Sequence, residues 1–227
     1  MDFLKQYLKI INYSIIGIVF AFSSFYMLAN LYHYFELRRD YTVSVKKLPV
    51  INNINNNLTL INKNINTFNA NTYKGKISTT LMIKINQNLK TCVDSINNDS
   101  YKEILTKDKV SIVDVYYLRE AYENNILNNC LVNNISWLVS KENNINSTYL
   151  NTNKELLTKH INLLLIDTSY MKKDLLNNSS YFYNTNVASS SVKDNTKDGL
   201  YEVLDAYNSA TDFILYISNW YKMEVEG

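Results

Sequence analysis

Tight turns draw heavily on glycine and proline, and this chain of 227 residues has four glycines and one proline. Compact β folds reverse direction every few residues and need such positions often. Phosphate-binding loops need closely spaced glycines, because only a bare backbone can approach the anion. The scarcity of both residues argues for long helices joined by a few asparagine-rich connections, and against a nucleotide-binding loop.

One of those helices is apolar throughout. From Ile10 to Phe35 no residue is formally charged, with His33 taken as neutral. About 20 apolar residues at a rise of 1.5 Å each cross the hydrocarbon core of a bilayer. Ser23 and Ser24 can bond to the preceding turn, and Tyr7, Tyr13, Tyr32 and Tyr34 fall near the two ends, where such rings favour the headgroup level. A cleaved signal peptide has a shorter apolar run and a small-x-small site, which Met27 to Ala29 supplies poorly. A helix in the core of a globular domain normally keeps one polar face. The expected layout is a short tail (1–9), a transmembrane helix (10–35), a juxtamembrane linker (36–48) and a helical bundle domain (49–227). On orientation the signals oppose each other. Lys5 and Lys9 on one flank face Arg38, Arg39, Lys46 and Lys47 on the other, a slight bias toward a cytosolic domain. A short tail ahead of an uncleaved anchor usually stays in the cytosol, and on that ground the C-terminal domain is expected outside it.

Beyond the linker, apolar residues recur at helical spacing. Ile51, Ile54, Leu58, Ile61, Ile65 and Phe68 step by three and four, a heptad seam that begins just after Pro49. Between them stand almost only Asn, Thr and Lys, so this helix must bury its seam to exist; the burial is within its own bundle or against a partner, and the seam is a candidate interaction surface. Further stripes run through Ile85, Leu89, Cys92 and Ile96, then Val115, Leu118, Tyr122, Ile126, Leu131 and Ile135. Two more follow: Leu157, Ile161, Leu164, Met171 and Leu175, and finally Leu200, Tyr207, Ala210, Ile214, Ile217 and Tyr221 on a helix expected from about Asp198. Ser100 to Glu103, Ser111 to Asp114 and Thr152 to Glu155 have the capping-box form that opens a helix. The Asn- and Ser-rich stretch near 177–196 is expected to be a mobile loop. The fold class is therefore all-α: an N-terminal transmembrane helix and a four- or five-helix up-and-down bundle.

Little in the chain points to chemistry. His33 lies at the edge of the anchor, and His160 has no Cys or carboxylate at ligand spacing. Glu120 with Glu123, and Glu224 with Glu226, read as solvated faces. Positive and negative residues are interspersed at a net charge of +2, without the basic stripe of a nucleic-acid binder. The abundant Asn, with Lys far ahead of Arg, fits an AT-rich coding sequence and reads as neutral filler; the six Asn-x-Ser/Thr acceptors after the apolar helix, among them Asn57 and Asn134, are about the number chance supplies. Most tyrosines fit core or half-buried positions, but Tyr181, Phe182 and Tyr183 stand in a polar stretch and are a candidate contact. Cys92 and Cys130 fall on or beside the stripes of two different helices; they are either a disulfide or two small core residues.

The sequence thus leads to a single-pass membrane protein that is not an enzyme. No cofactor, metal or nucleic acid is expected. Its expected role is that of a structural or assembly subunit of a membrane-associated complex. The expected partners are the lipid bilayer and either other proteins of that complex or further copies of the chain, met through helix faces. The alternative is a sensory or small-ligand-binding bundle, which requires a polar-lined cavity between helices.

Overall fold

The computed structural model describes residues 2–40, 42–44, 46–70, 79–136, 154–172 and 189–226. These form seven α-helices and a two-stranded ribbon, so the all-α class holds. The elements are α1 (Asp2–Asp40), β1 (Val43–Ser44), α2 (Leu48–Ala70), α3 (Thr79–Ile96), α4 (Asp99–Thr106), β2 (Lys109–Val110), α5 (Ile112–Ala121), α6 (Lys154–Lys172) and α7 (Ser189–Glu226). A π-helical segment, Tyr122–Leu131, continues α5 without a break, and 132–136 return to α-helix.

Within α1 the stretch Lys9–Tyr32 is long and apolar enough to cross a membrane, and none of it is buried within the chain. No other part of the described chain covers this stretch. The expected linker 36–48 is largely structured: α1 continues to Asp40, and β1 pairs antiparallel with β2, Val43 opposite Val110 and Ser44 opposite Lys109.

Pro49 occupies the first turn of α2, where a missing N–H costs nothing. The seam of α2 is spent inside the chain. Ile54, Leu58, Ile61, Ile65 and Phe68 are buried in the core, and Ile51 packs half-buried against it. The expectation that this seam forms an interaction surface is corrected accordingly: it faces the chain's own bundle, chiefly α7.

Beside the seam, the asparagines are far from filler. The side-chain amide of Asn53 donates to Asn208, that of Asn57 donates to Asp212 at 2.6 Å, and that of Asn64 donates to Ser218 at 3.0 Å and Asn219 at 2.9 Å. Asn53, Asn57 and Asn64 each reach a residue 155 positions further along. A constant offset means that α2 and α7 run parallel. Asn57 and Asn64 are buried one heptad apart, flanking the seam. The reading of asparagine as filler fails here because a buried amide must be hydrogen-bonded, and a ladder of such bonds pins the register of two helices.

On the other side of α7 lies α6. His160 stacks obliquely on Tyr216, ring centroids 5.2 Å apart, and Ser209 donates its hydroxyl to Asp167. Moving up α6 from His160 to Asp167 moves down α7 from Tyr216 to Ser209, so this pair is antiparallel. An alternating path through α2, α3, α5, α6 and α7 yields these two directions. Helix α7 also touches α3, α5, the π segment and β1, and is the hub of the bundle. It begins nine residues before the expected start at Asp198, because Thr196, fully buried, extends its inner stripe below Leu200. The expected loop is therefore helix from Ser189 onward; its part before that residue lies outside the described residues.

Packing on this scale predicts a sharp contrast within α2. Leu58 is 4% exposed and Leu60 is 47% exposed. Leu58→Ala is expected to cost about 2–5 kcal/mol of unfolding free energy. Leu60→Ala is expected to stay within about 0.5 kcal/mol. Denaturant unfolding of both variants measures the difference.

Candidate functional site

A cluster of buried polar groups lies where the chain leaves β1 and where α4, β2 and α5 meet. Lys47 is the first of them. Although a lysine, it is buried, and its ammonium donates to the carbonyls of Ile104, at 3.5 Å, and Lys107. These carbonyls lie at the C-terminal end of α4, where the helix leaves acceptors unsatisfied and carries partial negative charge. Burial pulls the Lys47 ammonium below its ordinary value, and nearby Asp108 and Asp114 offset part of that pull. Lys47 thus ties the chain just after α1 and β1 to the end of α4.

The turn into α5 is held by its capping box. Ser111 accepts from the Asp114 amide at 3.3 Å, and the Asp114 carboxylate accepts from the Ser111 amide and hydroxyl at 2.9 and 2.8 Å. This is one of the three caps expected from sequence. At α4 the expected cap, Ser100, is displaced: Asn98 offers its carbonyl to the amides of Tyr101 and Lys102, so the helix starts earlier. The third begins at Thr152, outside the described residues. Lys107 completes the corner with a 2.8 Å ion pair to Asp114. Burial pushes the Asp114 carboxyl up, but hydrogen bonds from Lys107 and Ser111, with the Lys107 charge, outweigh it and hold the group below the usual carboxylate range.

Beside this corner runs a groove of about 490 Å³, lined among others by Glu103, Lys107, Asp114, Tyr117, Glu120 and Asn124. Its far end is formed by Ala121, Asn124 and Asn125, where the α-helix loosens into the π segment. The amide of Val132 bonds to the Leu127 carbonyl, five residues back. The loosening has a cause in the burial pattern. Tyr122, Ile126, Cys130 and Leu131 are all buried. At about 100° per residue an α-helix would set Leu131 opposite Tyr122; wider π winding brings both to one face. The step of five from Ile126 to Leu131 in the apolar stripe was the sequence signal for it.

The π segment also carries Cys130, which is joined to Cys92 of α3 in a disulfide with Cα atoms 5.0 Å apart. Both cysteines are buried, and the buried amide of Asn134 donates to the Cys92 sulfur and to the Cys130 carbonyl. Asn134 and Asn57 are therefore interior groups in the folded domain and are not glycan acceptors there. Behind the groove, Tyr207 of α7 stacks on Tyr101 of α4 at 4.1 Å and leans on Tyr122 at 5.2 Å, while its hydroxyl donates to the Leu118 carbonyl. Burial pushes the Tyr122 hydroxyl up to about 12, and Tyr101 and Tyr207 move in the same direction.

Of the residues singled out from sequence, the structure joins Cys92 with Cys130 and consumes the α2 seam in the core, while Tyr181, Phe182 and Tyr183 lie outside the described residues. Sequence reasoning missed Lys47, Lys107 and Asn134, each of which acts through a partner remote in the chain or through a backbone carbonyl. Comparison of the chain with protein families, curated proteins and solved structures finds no match.

The depressed Asp114 acidity has a consequence for stability. A carboxyl whose acidity is strengthened on folding contributes above its unfolded value, near pH 4, and loses that contribution as the pH falls through its folded value. Asp114→Asn is expected to lower the melting temperature at pH 7. The gap from the unmodified protein is expected to close as the pH is taken below about 4. Thermal melts of both proteins across that range measure it.

Proposed function

We propose that this chain is a single-pass membrane protein whose helical domain serves as a structural or assembly subunit of a membrane-associated complex, bound to other proteins through helix faces. The observation that carries this reading is the apolar stretch Lys9–Tyr32, of which nothing is buried within the chain. Twenty-four such residues in water are strongly unfavourable, and a bilayer removes the cost. The domain is held close to that anchor by the β1–β2 pair and Lys47, which suits a part that must keep a set geometry at a membrane. Helix-face contacts draw support from α6. Its inner side is filled by Leu164 and Thr168, with Leu157 and Ile161 half-buried, yet Leu156, Leu163, Leu165 and Ile166 remain 41–58% exposed on the outside. A helix apolar on both sides calls for cover on both.

Deletion of residues 1–35 is expected to release the domain from carbonate-washed membranes. In mild-detergent extracts of native membranes, the full chain is expected to migrate with a partner protein at fixed stoichiometry. Leu163→Glu with Ile166→Glu is expected to remove that partner while leaving the melting temperature within a few degrees, since both positions are exposed. A chain extracted only as a lone monomer contradicts the assembly role.

For the same protein we place the domain outside the cytosol. The support is the disulfide, since buried structural disulfides form and persist in oxidising compartments. Closing a loop between residues 38 apart contributes roughly 4 kcal/mol in the chain-entropy treatment. Protein taken from native membranes with thiols blocked is expected to show no alkylated cysteine by non-reducing mass spectrometry. Two blocked thiols at Cys92 and Cys130 would move the domain to the cytosolic side.

A further inference from the structure

We propose that His160 makes the attachment of α6 to the bundle sensitive to acid, so that protonation of its imidazole loosens α6 from α7. The device lies within the chain and does not depend on whether the chain assembles with partners.

Among the described residues α6 packs chiefly on one element, α7. Beyond α7, its Thr168 meets the Tyr122 hydroxyl of the π segment at 3.3 Å. A helix held along one side by one neighbour is the kind of unit that opens locally while the rest of a domain stays folded. The inner side of α6 carries Leu157, His160, Ile161, Leu164 and Thr168, positions three and four apart. His160 is the one ionisable residue of that stripe, so it brings a switchable charge into the contact that holds the helix in place.

The surroundings of His160 suit the neutral ring. It is half-buried, and its ring centroid lies 5.2 Å from that of Tyr216 on α7. Two charged side chains act on it, Asp212 on α7 and Lys159 on α6 itself. Asp212 is already engaged, because it accepts from the Asn57 amide of α2 at 2.6 Å. Burial is the largest influence and pulls the imidazole below its ordinary value; Asp212 offsets part of that pull, and Lys159 adds to it. The proton is therefore held more tightly when the ring is in water than when α6 is docked. The contribution to docking is complete above the ordinary histidine value, at about pH 6.5, and is lost as the pH falls below it.

Across the same pair of helices acid acts with the opposite sign at Asp205. Burial and the Asp167 charge raise that carboxyl, so its protonation relieves a repulsion between α7 and α6 and tightens them. A loosening of α6 by acid therefore points to His160 and away from these carboxylates.

The test is hydrogen–deuterium exchange of the full chain in detergent micelles, read by mass spectrometry at about pH 7.5 and about pH 5 and corrected for the intrinsic pH dependence of exchange. The expected result is a loss of protection on acidification in peptides from 154–172 that is absent from peptides of α2 and α3. His160→Phe keeps a ring against Tyr216, and His160→Gln keeps a polar group. Neither takes up a proton, and in both α6 is expected to show the same protection at the two pH values. Melting temperatures at the higher pH establish that each variant is folded, and either one alone suffices for the comparison. Unchanged protection of α6 in the parent chain overturns the proposal. So does an equal loss in every helix, or a loss that persists in a folded variant.

Discussion

A helix whose isoleucines are separated by asparagine, threonine and lysine has little intrinsic reason to form, because asparagine and threonine are poor helix formers and the chain between the seam positions gains nothing in water. The pairing of α2 with α7 supplies the reason. Ile54, Leu58, Ile61, Ile65 and Phe68 leave water together, and the same pairing gives Asn53, Asn57 and Asn64 partners on α7. The apolar seam contributes the driving force and the amides contribute the register. A slip of one residue would bury Asn57 and Asn64 without partners, at a cost of about 1–3 kcal/mol for each. Once α7 is set, α6 packs on its other side, and Tyr207 reaches α4 and α5 from a fixed position.

The same logic extends to the end of α1. A two-residue ribbon is too short to be stable alone. Lys47 reinforces it by giving the end of α4 a cation where the helix presents its free carbonyls, and α1 itself touches α5. The segment expected to be a plain linker is therefore part of the domain. The polar corner built around it holds Lys107, Ser111 and Asp114, and the groove lies against that corner.

The disulfide and the π segment form the other fixed point. Tyr122 and Leu131 stand nine residues apart and are both buried, and an α-helix would set them on opposite sides, a demand one facing a single core meets poorly. The π winding meets it, and the bond to Cys92 holds the widened turn against α3. The hydrogen bonds from Asn134 to the Cys92 sulfur and the Cys130 carbonyl then satisfy an amide that would otherwise be stranded in the core.

By itself the sequence determined the class of the fold, the apolar N-terminal helix, the stripes that become the core and the Ser111 cap, because each depends on spacing within one helix and on residue type alone. It also placed Cys92 and Cys130 on helices able to meet. Only the tertiary structure decided that they do meet, that the α2 seam faces α7 rather than a partner, and that α7 begins at Ser189. It also decided that particular asparagines, in a background of many, are structural. The groove was out of reach for the same reason: its lining comes from α4 and α5, which meet only in the folded chain. Periodicity reports which face of a helix is apolar, but not what covers that face. The partner of a polar side chain 155 residues away is set by the packing of the whole chain, and no local pattern carries it.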